Sequence, residues 1–202
     1  MSDKENDIKD NNIIKNAEEQ YDNGNYIGQI EAEMREGKGI YNWNSKDKYE
    51  GEFKEDVIEG RGTYTWANGD KYVGNFKKGK KEGKGIYYYK SGSKYDGDFK
   101  NNKREGKGIF YYKSGNRYEG DFKNDKREGN GIMYYKNGDR EMGNYLDDKK
   151  VGMHVILYAD GKNEIKDYDA KKEENKEENK DNKEVKIINK NGNINDKEIK
   201  KE

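Results

Sequence analysis

The residues able to do chemistry in this sequence fall into three groups. The first is a single histidine, His154. An imidazole can serve as a zinc ligand or as the base of a triad, but each use needs partners of its own. The chain has no cysteine and no serine or acid motif around His154, so a capping or surface role is expected. The second group is the Gly-x-Gly pairs Gly37/Gly39, Gly60/Gly62, Gly83/Gly85, Gly106/Gly108 and Gly129/Gly131. A phosphate loop needs Gly-x-x-x-x-Gly-Lys-Ser/Thr leading into a helix. Each pair here leads into a β-branched or aromatic segment instead. Carboxylates such as Asp98 and Asp121 recur with the surrounding pattern, which argues for structure over a catalytic pair. No catalytic residue, metal site or cofactor is expected, and no nucleic-acid partner.

The third group is basic. The stretches KKGKKEGK, KNNKREGK and KNDKREGN carry Lys77, Lys78, Lys80 and Lys81, then Lys100, Lys103 and Arg104, then Lys123, Lys126 and Arg127. Aligned along one edge, they would form a stripe able to meet anionic phospholipid at about 1 kcal/mol per residue near the surface, or an acidic protein. Glu82, Glu105, Asp125 and Glu128 interrupt it, and an ordinary solvated turn is the competing reading.

The elements that must position these residues repeat. An aromatic-x-Gly opening recurs every 23 residues at Tyr26, Tyr49, Tyr72, Tyr95 and Tyr118, and a sixth unit starts at Glu141 with its glycine at Gly143. Six units, 26–48, 49–71, 72–94, 95–117, 118–140 and 141–163, follow one another without insertion. A fixed period decides the architecture before any single segment does. Within a unit, Tyr72, Gly74 and Phe76 share one face of a strand by period two, and Gly83, Gly85, Tyr87 and Tyr89 share a face of the next. Tyr49, Gly51 and Phe53, Tyr95, Gly97 and Phe99, and Tyr118, Gly120 and Phe122 repeat the pattern. Each unit is therefore a β-hairpin, with Asn68-Gly69 or Asn137-Gly138 turning the chain into the next.

With 42% of residues charged and 29% hydrophobic, a core of Leu, Val and Ile is not available, but 18 Tyr and 25 Gly are. An aromatic ring can lie across a glycine of the neighbouring strand and cover its bare backbone, giving a core one layer thick. The spacing predicts an all-β, elongated, single-layer antiparallel array of hairpins, twelve strands long. The units resemble MORN (membrane occupation and recognition nexus) repeats, whose pattern is Tyr-x-Gly-x-(Phe/Trp)-x-x-Gly-x-x-x-Gly-x-Gly. The departures are at the ends: Ile30 replaces the phenylalanine and Lys46 the turn glycine in the first unit. In the sixth, Glu141 replaces the leading tyrosine, Tyr145 the phenylalanine and His154 the second glycine of the pair. Of the loop glycines in that pattern, only Gly79 is present.

The array leaves a second face bearing Ile86 and Tyr88, Ile109 and Tyr111, Ile132 and Tyr134, and Val155 and Leu157. A single layer cannot bury both faces, so a partner helix or peptide, a second copy or the chain's own ends must cover this stripe. Residues 1–25, acidic, offer Ile8, Ile13, Ile14 and Ala17 for a short capping helix. Residues 164–202 are charged and low in complexity, expected to be disordered or a solvated helix, with Val185, Ile187 and Ile188 as an apolar island. Residues 26–163 hold 28 Lys and Arg against 23 Asp and Glu, so the middle is mildly basic. No cysteine, no apolar run near ~20 residues and no signal sequence point to an intracellular, soluble protein in the cytoplasm, on the cytoskeleton or at the inner face of a membrane. The resemblance implies a non-enzymatic scaffold or adaptor in a cytoskeletal or membrane-associated assembly, in a family whose members include dimers and radial-spoke head components. The alternatives are a peripheral binder of anionic phospholipid through the basic hairpin loops and an axonemal component like a radial-spoke head.

Overall fold

In the computed structural model, which describes residues 14–169, fourteen strands follow one another as an antiparallel meander in one open sheet. They are β1 Lys15–Tyr21, β2 Gly24–Glu31, β3 Met34–Trp43, β4 Lys48–Lys54, β5 Val57–Thr65, β6 Lys71–Lys77 and β7 Lys80–Tyr88. The series continues with β8 Lys94–Lys100, β9 Lys103–Tyr111, β10 Arg117–Lys123, β11 Lys126–Tyr134, β12 Arg140–Leu146, β13 Lys149–Leu157 and β14 Asn163–Asp167. The expected single-layer all-β array is what forms.

Register explains why so polar a chain folds. Gly28, Gly39, Gly51, Gly62, Gly74, Gly85, Gly97, Gly108, Gly120, Gly131 and Gly143 pair one after another in an unbroken row across β2 to β12. The ring of Tyr72 lies over Gly74 and Gly85, where a Cβ on either would overlap it. Its hydroxyl donates to the Asn75 carbonyl at 3.0 Å, and Tyr49 and Tyr95 repeat the bond to Glu52 and Asp98 at the same distance. Glycine in a strand costs roughly 0.5–1 kcal/mol; a fully buried large side chain returns roughly 1.5–3 kcal/mol. The rings win, so each unit gains by keeping its glycines.

Between these tyrosines stand the phenylalanines. Tyr26, Phe53, Tyr49, Phe76, Tyr72, Phe99, Tyr95, Phe122, Tyr118 and Tyr145 form a herringbone spine. Neighbouring centroids are 4.9–5.3 Å apart and planes lie near 80–90°, the edge-to-face geometry the ring quadrupole favours. A second row, half-buried except for the buried Tyr41, runs beside it on the same face: Tyr41, Trp43, Tyr64, Trp66, Tyr87, Tyr89, Phe110 and Tyr112.

The hairpin turns hold only two residues. Asn101 and Asn102, for instance, have φ of 48° and 73°, the doubly positive pair of a type I′ turn, whose twist matches the strands. The residues KKE after the Lys78–Gly79 turn are thus strand, not loop. Past them Gly83 (φ 68°) sits in a bulge, because Gly74 pairs with Gly85 but Phe76 with Lys81.

Both ends differ from expectation. Residues 15–21, expected to enter a capping helix, are strand β1; Ala17 pairs with Gly28 and packs on the core, while Ile14 is exposed. The backbone groups of β2 need a partner on that side, and an extended segment supplies it where a helix would not. Ile8 and Ile13 lie outside the described residues. At the other end, residues 164–167 of the supposed tail join Asn163, the last residue of the sixth unit, in β14 against β13; Val185, Ile187 and Ile188 lie outside the described residues.

Candidate functional site

The spine face carries a cation at nearly every unit: Arg35, Lys81, Arg104, Arg127 and Lys150, with Ile58 in the second. Arg104 donates through its backbone N–H and Nε to the Asp125 carboxylate, at 2.9 and 3.3 Å, and through Nη2 to the Asp125 carbonyl. Its guanidinium also lies 5.3–5.6 Å from the Tyr95, Phe110 and Phe122 ring centres. Arg35 with Asp56 and Arg127 with Asp148 do the same. These cations lock each type I′ turn to its neighbour and roof the rings. Lys81 sits 4.6 Å from the Tyr87 ring centre, and burial lowers its pKa.

Three of the ten basic residues singled out in the sequence are therefore absorbed by the sheet. The other seven, Lys77, Lys78, Lys80, Lys100, Lys103, Lys123 and Lys126, are exposed along the type I′ edge. Lys103 bonds Asn124 and Lys126 bonds Asp147, and Asp125, Asp147 and Asp148 lie on the same edge. The edge is mixed in charge.

All eight residues of the expected binding stripe do share the opposite, open face, in two rows. Ile86, Ile109, Ile132 and Val155 lie in one, Tyr88, Tyr111, Tyr134 and Leu157 in the other. The rows are not continuous apolar bands. Alternate strands insert Asp96 and Glu119 between the isoleucines, and Lys94 and Arg117 between the tyrosines, with Arg140 before Leu157. The second row is a cation–aromatic ladder: Lys71 over Tyr88 at 4.7 Å, Lys94 over Tyr111 at 4.3 Å and Arg117 over Tyr134 at 4.1 Å. A third row pairs Lys84 with Asp98 and Lys107 with Asp121 at 2.8 and 2.7 Å. Between these rows runs an open trough of about 730 Å³. Ile109, Ile132 and the backbones of Gly97, Gly108, Gly120 and Gly131 line it together with Lys84, Asp96, Lys107 and Glu119. Sequence reasoning missed the charged members because it read each strand alone. The x positions of Tyr-x-Gly-x-Phe alternate onto this face by the same period of two.

The family model for the MORN repeat matches residues 26–48, 49–71, 72–94, 95–117 and 118–140. The chain belongs to the MORN repeat family. No curated protein sequence matches it. Among solved structures it is similar to the TCP domain of Drosophila melanogaster SAS-4 (dCPAP) in complex with a proline-rich motif of Ana2 (dSTIL). That match has 15% identity and a TM-score of 0.46, covering 75% of this chain and 88% of the other. A mutant of the TCP10 domain of Danio rerio CPAP matches with 9% identity and a TM-score of 0.37, covering 76% of this chain and 79% of the other. MORN repeats are often involved in protein or membrane interactions. Among the described residues no helix is long and apolar enough to cross a membrane, and no group of three or more His, Asp or Glu could hold a metal ion.

The sixth hairpin lies beyond the residues matched to the MORN repeat, and its two departures compensate each other. Glu141 stands where the spine tyrosine belongs, and His154 where that tyrosine's glycine belongs. The imidazole now comes from β13 and lies over Gly143. His154 Nε2 is 2.9 Å from the Asn144 carbonyl, the position that accepts the tyrosine hydroxyl in earlier units. The spine continues through His154 to Tyr168, with centroids 5.5 and then 4.9 Å apart. His154 is thus a buried cap, not a surface residue.

Glu141, 2% exposed, accepts from Lys150 Nζ and the Tyr135 hydroxyl at 2.5 Å each and from the Tyr168 hydroxyl at 2.7 Å. His154 Nδ1 lies 3.2 Å from Oε1, the oxygen that also accepts from Tyr168, outside hydrogen-bond alignment. Burial works to raise the carboxyl's pKa, but the bonds from Lys150, Tyr135 and Tyr168 outweigh it and hold it at about 2. A carboxylate depressed in the folded state contributes stability at neutral pH. That contribution fades as pH falls from its ordinary value of 4.5 towards about 2. Urea unfolding of the wild type should weaken through that window. Glu141→Gln should be less stable at pH 7, and the gap to wild type should narrow steadily below pH 4.5 and close only as pH falls through about 2; parallel curves would refute the assignment.

Proposed function

We propose that this MORN chain is a non-enzymatic scaffold that holds an extended or helical segment of a protein partner in the open-face trough, within a cytoskeletal or membrane-associated assembly. The observation that carries the reading is the trough itself. It has an apolar line, Ile109 and Ile132 over bare glycine backbone, between charges of both signs. That combination suits a peptide with apolar anchors and polar flanks. The ring face, by contrast, spends its aromatic and basic side chains on one another.

A photo-crosslinking residue at position 109 or 132 should capture in cells the partner set found by proximity labelling. The same residue at position 87, on the ring face, should capture little. Ile109→Lys with Ile132→Lys should leave a folded chain whose labelled partner set is lost. Retention of that set by the double variant would reject the trough as the site.

A further inference from the structure

The row of cations on the ring face has one gap, in the second hairpin. Carried back by one 23-residue unit, Lys81 becomes Ile58. The rings about Lys81, those of Trp66, Tyr72, Tyr87 and Phe99, become Trp43, Tyr49, Tyr64 and Phe76. Among the described residues Arg35 covers Tyr21, Tyr41 and Phe53, and no cation stands over the rings about Ile58. The facing turn has changed as well. Asp56, Asp125 and Asp148 each anchor an arginine, and Asn102 accepts from the Lys81 backbone N–H at 2.9 Å. The second hairpin meets Gly79 instead, and the space where a Cβ would stand there is open. Ile58, half-buried and shorter than a lysine, packs on the core and leaves a hollow of about 450 Å³, lined also by Trp43, Gly79 and Asp56. Arg35 engages only Oδ1 of the Asp56 carboxylate.

We infer that this hollow receives the ammonium of a lysine from a protein partner, in the place where the next hairpin supplies its own. The precedent within the sheet sets the chemistry. At the equivalent position Lys81 lies 4.6–5.7 Å from its ring centres, and a ring face attracts a cation, that of tryptophan most strongly. Arginine stands in this row only where the next turn offers an aspartate, as Arg35, Arg104 and Arg127 do with Asp56, Asp125 and Asp148. Gly79 offers none, so the compact ammonium suits the second hairpin better than the guanidinium fork. A lysine stem would lie along Ile58 and Trp43 while its charged head reached the rings. The Asp56 carboxylate at the rim gives the hollow the sign that a cation needs.

The hollow lies on the opposite face from the trough, so the two contacts fail or stand separately. The probe is Nα-acetyl-lysine methylamide, titrated into the full chain and followed by NMR. In the wild type the Trp43 indole N–H and the Gly79 amide should shift, with millimolar affinity. Trp66, the other tryptophan, already has Lys81 over its ring and should stay in place. Nα-acetyl-norleucine methylamide keeps most of the stem without the charge, and it should bind at least tenfold more weakly. Ile58→Lys with Gly79→Asn copies the third hairpin and fills the hollow from within. That variant should lose the response while its Trp66 resonance stays unmoved. Should it fail to fold, the wild-type titration decides without it, since both tryptophans and both probes are read on the unaltered chain. Equal binding of the two probes, equal shifts at Trp43 and Trp66, a response retained in the folded variant, or no response in the wild type overturns the proposal.

Discussion

His154→Gly should be among the most damaging single substitutions in the chain, at about 3 kcal/mol or more, and Glu141→Tyr should rescue it. Removing the imidazole opens a cavity over Gly143, breaks the spine between Tyr145 and Tyr168, and leaves the Asn144 carbonyl without its partner. Loss of a large buried ring costs in this range. Glu141→Tyr alone should also destabilise, since the new ring would have to lie where the imidazole already is. Together the two changes restore the arrangement of the earlier units, with a tyrosine from the first strand of the hairpin over paired glycines. Lys150 loses its carboxylate in the double variant, but Lys81 at the equivalent position is held among rings alone. The interaction energy should reach roughly 2–3 kcal/mol, the upper part of what contacting pairs show. Because a repeat array opens from its ends, the measurement is amide exchange in β12, β13 and β14 across the four proteins. Simple additivity of the two losses would falsify the swap.

This pair also marks where sequence reading stopped. The 23-residue period, the hairpin units and the rings over glycine were legible because side chains alternate by two and the pattern returns in register. Glu141 and His154 were visible as departures, but their compensation is a contact across strands, and a single unit's pattern says nothing about which strand supplies the ring. The end strands were hidden for another reason. KNAEEQY and NEIKD have no aromatic–glycine signature; they are strands because the neighbouring edge needs backbone partners, not because of local preference. Arg104 and Arg127 were misjudged as loop charges because turn length was not fixed by composition. Once the turn is two residues long, both fall on a strand, facing the rings.

The remaining large effect lies mid-array, at Gly108. Its φ is ordinary, so alanine there carries no backbone strain; the obstacle is the Tyr95 ring, which a Cβ would overlap. Displacing that ring would forfeit its bond to the Asp98 carbonyl and its edge contacts with Phe99 and Phe122, 5.2 and 4.9 Å away. Overpacking of this kind costs typically 1–3 kcal/mol, and with the lost bond Gly108→Ala should reach about 3 kcal/mol. Gly152→Ala supplies the contrast. It has a left-handed φ of 64° but nothing within 4 Å of a Cβ, so it should cost only about 1–2 kcal/mol of backbone strain. The location matters as much as the size. Each hairpin contacts only its neighbours, so a defect at the centre of the spine weakens the coupling between the halves of the array. Urea unfolding should pass from one transition to two in Gly108→Ala and remain single in Gly152→Ala. If the open backbone site at Gly152 proved the costlier of the two, the ring-over-glycine row would not be what holds this sheet together.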